Sequence, residues 1–236
     1  MNKFSFSRFV DVLKKEWSEY FRAYGIWLIV WSCIPVVIWI TSLVFDVNVE
    51  AGTRALFIYY VMFLSMMNVS EKVYGKVNLP RDGVAYSMLP ATLGEKFFSM
   101  VFYCSILTPV LCFAGCMLMD FLMSLLPFGG FKGFIILPIR GQGELYLLLI
   151  LFLIVASAEF MFGNMVFKKR KAGKTLAWTF LVLFVLTLII RLVFGIWLSI
   201  DESTFEDSTW MPYVILAVLA VGFYFGTFRK IKTQKY

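Results

Sequence analysis

Long apolar runs separated by short charged clusters make up most of this chain. A buried strand needs only four to eight apolar residues, whereas about 20 in a row make a helix that crosses the ~30 Å hydrocarbon layer. Six runs approach or exceed that length, at 25–45, 53–70, 97–120, 145–167, 176–200 and 210–228. The pattern before the first run is different. Phe6, Phe9, Val10, Leu13, Trp17, Tyr20 and Phe21 recur at steps of three and four, with Asp11, Lys14, Lys15, Glu16 and Glu19 between them. That spacing predicts an amphipathic helix over 1–24, lying in the headgroup plane or packed on the protein's own loops. The expected architecture is an all-α polytopic membrane protein. It has an interfacial N-terminal helix (1–24), a six-span domain (25–228) and a basic tail (229–236).

Charge then orients the spans. The N-terminal segment, the 70–97 loop, the 168–174 turn and the tail together hold eighteen lysines and arginines. The opposite side holds Arg54, Lys132 and Arg140, and Arg191 falls inside a run. Basic loops stay on the cytoplasmic side, so both termini are expected in the cytoplasm. Trp27 and Trp178 then fall at inner span ends, and Trp197 and Trp210 at outer ends, as interfacial anchors do. The segment 121–136 is apolar enough to suggest a seventh span, but Pro127, Gly129, Gly130, Lys132 and Gly133 interrupt it. Counting it as a span would also carry the 168–174 cluster outside. The helix is expected to end near Asp120, with the segment lying along the outer surface or dipping partway in. No cleavable leader is expected, because charges run through the first 24 residues without a small-residue cleavage pattern.

Composition narrows the chemistry. Of 236 residues, 61% are apolar and 16% charged, against about 45–50% and 25% in soluble domains. Histidine is absent, which removes imidazole bases, Ser–His and Cys–His pairs and histidine metal ligands. Cys33, Cys104, Cys112 and Cys116 all lie in apolar runs and read as reduced packing residues, with no metal site among them. Gly173-Lys174-Thr175 has the ending of a phosphate-binding loop, but Lys168 stands where that loop requires glycine. Asn68-Val69-Ser70 fits a glycosylation pattern at an inner span end and is discarded. No catalytic constellation is expected, and no nucleic-acid partner.

The 70–97 loop carries the most information. Thr92-x-x-Glu95 is a capping box, so a helix should begin just after Thr92, and Pro90 keeps the chain before it extended. The stretch Met88-Leu89-Pro90-Ala91-Thr92-Leu93-Gly94-Glu95-Lys96-Phe97 resembles the "LPAS/T-x-x-EKF" signature of small ABC type-two-like export permeases, many from Bacteroides-like bacteria. Arg81-Asp82-Gly83-Val84-Ala85-Tyr86 fits the same loop, and the predicted layout matches loosely. The last outer loop is shorter than in larger relatives, which have re-entrant helices there. The resemblance implies a bacterial inner-membrane, multi-pass permease subunit without an ATPase of its own. A separate ATP-binding subunit would hold ATP and magnesium, and the permease would work as a homo- or heterodimer among membrane lipids. Leu89, Pro90, Thr92, Leu93, Glu95 and Lys96 would form the coupling element docked on that subunit. Glu95 and Lys96 are expected at the rim of the contact, and the 168–174 turn would add a second, smaller contact.

Three ionisable residues fall at membrane depth: Asp120, Glu159 and Arg191. They form either a polar patch along a substrate path or structural pairs, with Asp120 and Glu159 both open as partners of Arg191. Gly222-x-x-x-Gly226 permits close helix approach, within one subunit or across a dimer. The expected function is an ABC exporter permease for a hydrophobic or amphipathic substrate. The alternative is a multispan scaffold or immunity protein that transports nothing.

Overall fold

A computed structural model of the protein describes residues 4–75, 77, 83–84, 86, 88–126, 130–135, 143–168, 170–171, 173–182, 184–185 and 211–233. Helices dominate in chain order: α1 (Phe6–Ser32), α2 (Ile34–Phe45), α3 (Ala51–Tyr74) and α4 (Leu93–Val101). A π-helical turn (Phe102–Leu107) joins α4 to α5 (Thr108–Ser124), and α6 (Gly143–Val166), α7 (173–182) and α8 (Met211–Thr233) follow. Among the described residues four stretches are long and apolar enough to cross a membrane: Phe6–Phe45, Leu93–Ser124, Gly143–Val166 and Tyr213–Thr233. The protein is therefore helical, multi-pass and membrane-embedded in character. Helix α3 has 24 residues but carries Arg54, Glu71 and Lys72 and turns much of its surface into the bundle.

The boundary expected near residue 24 is not a break. Helix α1 continues through it to Ser32, and the interruption comes at Cys33, two residues before Pro35. Proline has no N–H and its ring crowds the preceding turn, so the break belongs there. The amphipathic segment and the first apolar run thus share one helix. Its apolar face is also divided. Val12, Glu16, Tyr20 and Tyr24, at steps of four, are buried in the protein, while Phe6, Trp17 and Phe21 are exposed.

Another proline shapes the third apolar run. Pro109 cannot donate to the carbonyl of Ser105, and the wider π turn lies immediately before it. The Thr108 hydroxyl bonds back to the Tyr103 carbonyl at 2.7 Å, and Tyr20 from α1 donates to Thr108 at 2.9 Å. The turn is thereby stitched to α1.

Packing falls into two stacked cores. Tyr20, Tyr24, Tyr74, Phe97, Met100 and Tyr103 fill the end of the bundle that holds Glu95. Ala55, Ile58, Met62, Cys112, Cys116 and Leu153 fill the half toward Asp120. The cysteines are free thiols, three of them buried. Beyond Asp120 the helix runs on to Ser124, four residues past its expected end. The chain then returns to the protein: Phe131–Lys132 pairs in parallel with Val49–Glu50, and Ile135 is buried in the second core.

Candidate functional site

The site begins with the capping box. Thr92 is the N-cap of α4, its hydroxyl accepts from the Glu95 backbone N–H at 3.3 Å, and Glu95 Oε2 accepts from the Thr92 N–H at 2.7 Å. The other carboxylate oxygen reaches a second helix. Glu95 Oε1 accepts from the backbone N–H of Ser5, the N-cap of α1, at 2.8 Å. Arg8 from the first turn of α1 donates to the same oxygen at 3.1 Å. One carboxylate therefore caps two helix N-termini, where the unpaired N–H groups and the helix dipoles both favour negative charge.

Glu95 is 0% exposed, and so does not sit at the rim of a partner contact as expected. It lies in the first turn of the apolar stretch Leu93–Ser124. Burial works against its charge, and the Ser5 and Thr92 N–H groups and Arg8 offset that cost by hydrogen bonding to it. Lys96 also turns inward. Its ammonium donates to the Tyr86 carbonyl at 3.0 Å, and the Tyr86 hydroxyl donates to the Lys96 carbonyl at 3.2 Å. Leu93 packs against the first core. What projects from the element is Met88, 76% exposed, with Pro90 exposed and Leu89 half-buried beside it. The Ala91 N–H closes that corner on the Leu89 carbonyl at 2.7 Å.

The 168–174 turn is tied to the same end. Buried Lys171 donates to the Gly75 carbonyl, and Asn164 donates to the Ser70 carbonyl at 2.8 Å. Lys168, Arg170 and Lys174 stay exposed. A Cβ on Gly163 would lie 2.1 Å from the Thr175 hydroxyl, so α6 and α7 meet at a distance only glycine permits.

Of the residues expected at membrane depth, Asp120 and Glu159 share no hydrogen bond with each other, and Arg191 lies outside the described residues. Asp120 is buried and pairs with Arg54, whose guanidinium donates to Oδ1 at 3.1 Å. Arg54 also donates to the Gly133 carbonyl and lies 4.2 Å from the Phe131 ring centroid. The expected partner of Asp120 is Arg191, for which Glu159 is the other candidate. The charge pattern reads Arg54 as a loop charge, yet it is 1% exposed in the first turn of α3. Its position one residue into an apolar run was the available signal. Glu159 is buried on α6, at 6% exposure.

Midway along the bundle Ser105, Ser157 and Tyr224 form a hydroxyl cluster that the sequence did not announce. Tyr224 donates to the Ser105 oxygen at 2.7 Å, and Ser157 and Ser105 lie 2.8 Å apart. Ser105 belongs to the π turn and lines a cleft of about 330 Å³ with Met62, Met66 and Phe113. The glycine pair on α8 divides. A Cβ on Gly226 would meet the Phe162 ring at 2.8 Å, whereas one on Gly222 would meet nothing. Among the described residues no cluster of histidine, cysteine and carboxylate could hold a metal ion.

No family model, no curated protein and no solved structure matches the chain.

Proposed function

We propose that this chain is the membrane-embedded permease subunit of a bacterial ABC exporter. In this reading six spans place both termini and the Glu95 end in the cytoplasm, with α3 and residues 176–200 adding to the four apolar stretches. A separate ATP-binding subunit docks on the Met88–Leu89–Pro90 corner and drives alternating access for a hydrophobic or amphipathic substrate. The carrying observation is the double cap at Glu95. A coupling element must pass movement on without bending, and here one buried carboxylate locks the corner, the start of α1 and the start of a membrane helix into one unit. Support also comes from the resemblance of the 88–97 stretch to export permeases.

The test is copurification of an ATP-binding subunit from native membranes, followed by ATPase assay in nanodiscs. Met88→Asp with Leu89→Asp places charge on the projecting corner while leaving the double cap intact. The pair should abolish capture and stimulation without changing insertion or thermal stability. A wild-type chain that captures no ATP-binding subunit would make it a scaffold instead.

A further inference from the structure

Glu159 is the buried ionisable group that the described structure leaves without a use. It is 6% exposed, and its Oε1 receives no hydrogen bond from any described residue. None of the three ion pairs among the described residues includes it. Its recorded polar neighbour is the hydroxyl of Thr179 on α7. An ionised carboxylate without a charge partner in apolar surroundings is costly, so such a group either stays protonated or is matched by a cation, bound or of the chain's own.

Thr179 also lines a cleft of about 450 Å³ between α3, α6 and α7. Its walls include Tyr59, Tyr60, Phe63, Phe152 and Phe180. Phe63 and Phe152 stack with centroids 6.1 Å apart. Phe152 and Glu159 are seven residues apart on α6, so they share a face about two turns, or ~10 Å, apart. Thr179 is a wall residue whose hydroxyl donates to the Thr175 carbonyl at 2.9 Å, and Glu159 stands behind it rather than in the wall itself. Ring faces attract cations, and a carboxylate's field reaches several ångströms where the dielectric is low. A neutral ligand of the same shape would gain from neither.

We propose that this cleft binds a lipophilic cation, with the rings of Tyr59, Tyr60, Phe63, Phe152 and Phe180 around its apolar groups and Glu159 as its counter-charge. The proposal gives the exporter reading a substrate class, although the site itself is read from this chain alone.

The experiment is equilibrium binding of tetraphenylphosphonium to the purified chain in phosphatidylcholine nanodiscs, with empty discs subtracted. Triphenylphosphine oxide serves as the neutral comparison. The wild type should bind the cation saturably and the neutral compound weakly. Glu159→Gln should keep its thermal stability and bind the cation roughly tenfold more weakly or worse. Leu56→Trp adds bulk on a half-exposed wall of the cleft and should block binding with Glu159 intact. Equal binding by the Glu159→Gln variant, or equal affinity for the neutral compound, overturns the proposal. So does unfolding or a marked loss of stability in that variant, because Glu159 would then pair within the chain, with Arg191 the first candidate. No ATPase is present in the assay. Saturable binding without capture of an ATP-binding subunit would thus sink the exporter reading and leave the cation site standing, and the reverse outcome would do the opposite.

Discussion

The two ends of the bundle each hold an ion pair on a buried carboxylate, and they are built in opposite ways. At one end the carboxylate is central: Glu95 gathers backbone N–H groups from two helix starts, and half-exposed Arg8 adds to an anion already well satisfied. At the other end the cation is central. Arg54 gathers Asp120, the Gly133 carbonyl and the Phe131 ring, and both charges are almost wholly buried. A carboxylate suits helix N-termini, which present donors and a positive dipole end. A guanidinium suits an irregular return segment, which presents carbonyls and a ring face. The first arrangement depends little on its partner cation, whereas the second depends on it entirely.

That asymmetry sets the largest expected effect. Arg54→Met should leave Asp120 as a buried, uncompensated charge and free the segment around Gly133. The cost should be about 3–5 kcal/mol in unfolding measured in detergent or bicelles. Arg54→Met with Asp120→Leu should recover most of that loss, because burying two charges gains little over apolar packing. A single variant as stable as the wild type would show that the pair is not holding the return segment.

At the Glu95 end the order of effects should reverse between the partners. Glu95→Ala orphans the Thr92 and Ser5 N–H groups together and should cost about 3 kcal/mol. Arg8→Gln should cost under about 1 kcal/mol, because Arg8 is partly solvated and the backbone donors remain. If Arg8→Gln proves as damaging as Glu95→Ala, the end is held by an ion pair and the contrast with Arg54 disappears.

The two ends also differed in how far the sequence disclosed them. The capping box was readable because its donors and acceptor lie three residues apart on one chain segment, and the structure closes both of its bonds. Its reach to Ser5 was not readable, since ninety residues separate the partners and only packing of α1 beside α4 joins them. Among the described residues, four of the six apolar runs correspond to helices that meet the requirements for crossing, and most of the 176–200 run lies outside those residues. Helix α3 is less apolar because it faces protein on most sides and can carry Arg54. The charge-counting rule treats every arginine near a span end as solvated, so it could not reveal that Arg54 points into the core. Likewise, the pattern puts Glu16 among the polar positions of the amphipathic helix, yet it accepts from the Tyr74 hydroxyl at 2.6 Å in the core.

The smallest effect lies on α8 and tests how closely the Glu95 end is packed. Phe228 of this helix touches Phe97 of α4 with centroids 5.4 Å apart, so its last turns belong to that end. Gly226 sits there against Phe162, while Gly222, one turn away, faces open space. Gly226→Ala should force the Phe162 ring aside and cost about 1 kcal/mol. Gly222→Ala creates no contact and adds a better helix former, so it should be neutral or slightly stabilising within one subunit. Unfolding measured under dilute conditions isolates that term, and crosslinking at higher protein-to-lipid ratios reads self-association. Should Gly222→Ala leave unfolding unchanged but reduce crosslinking, the two glycines serve different helices: Gly226 the subunit's own α6, and Gly222 a second copy. If neither measurement changes, Gly222 is simply a lipid-facing position, and close packing on α8 is confined to the Glu95 end.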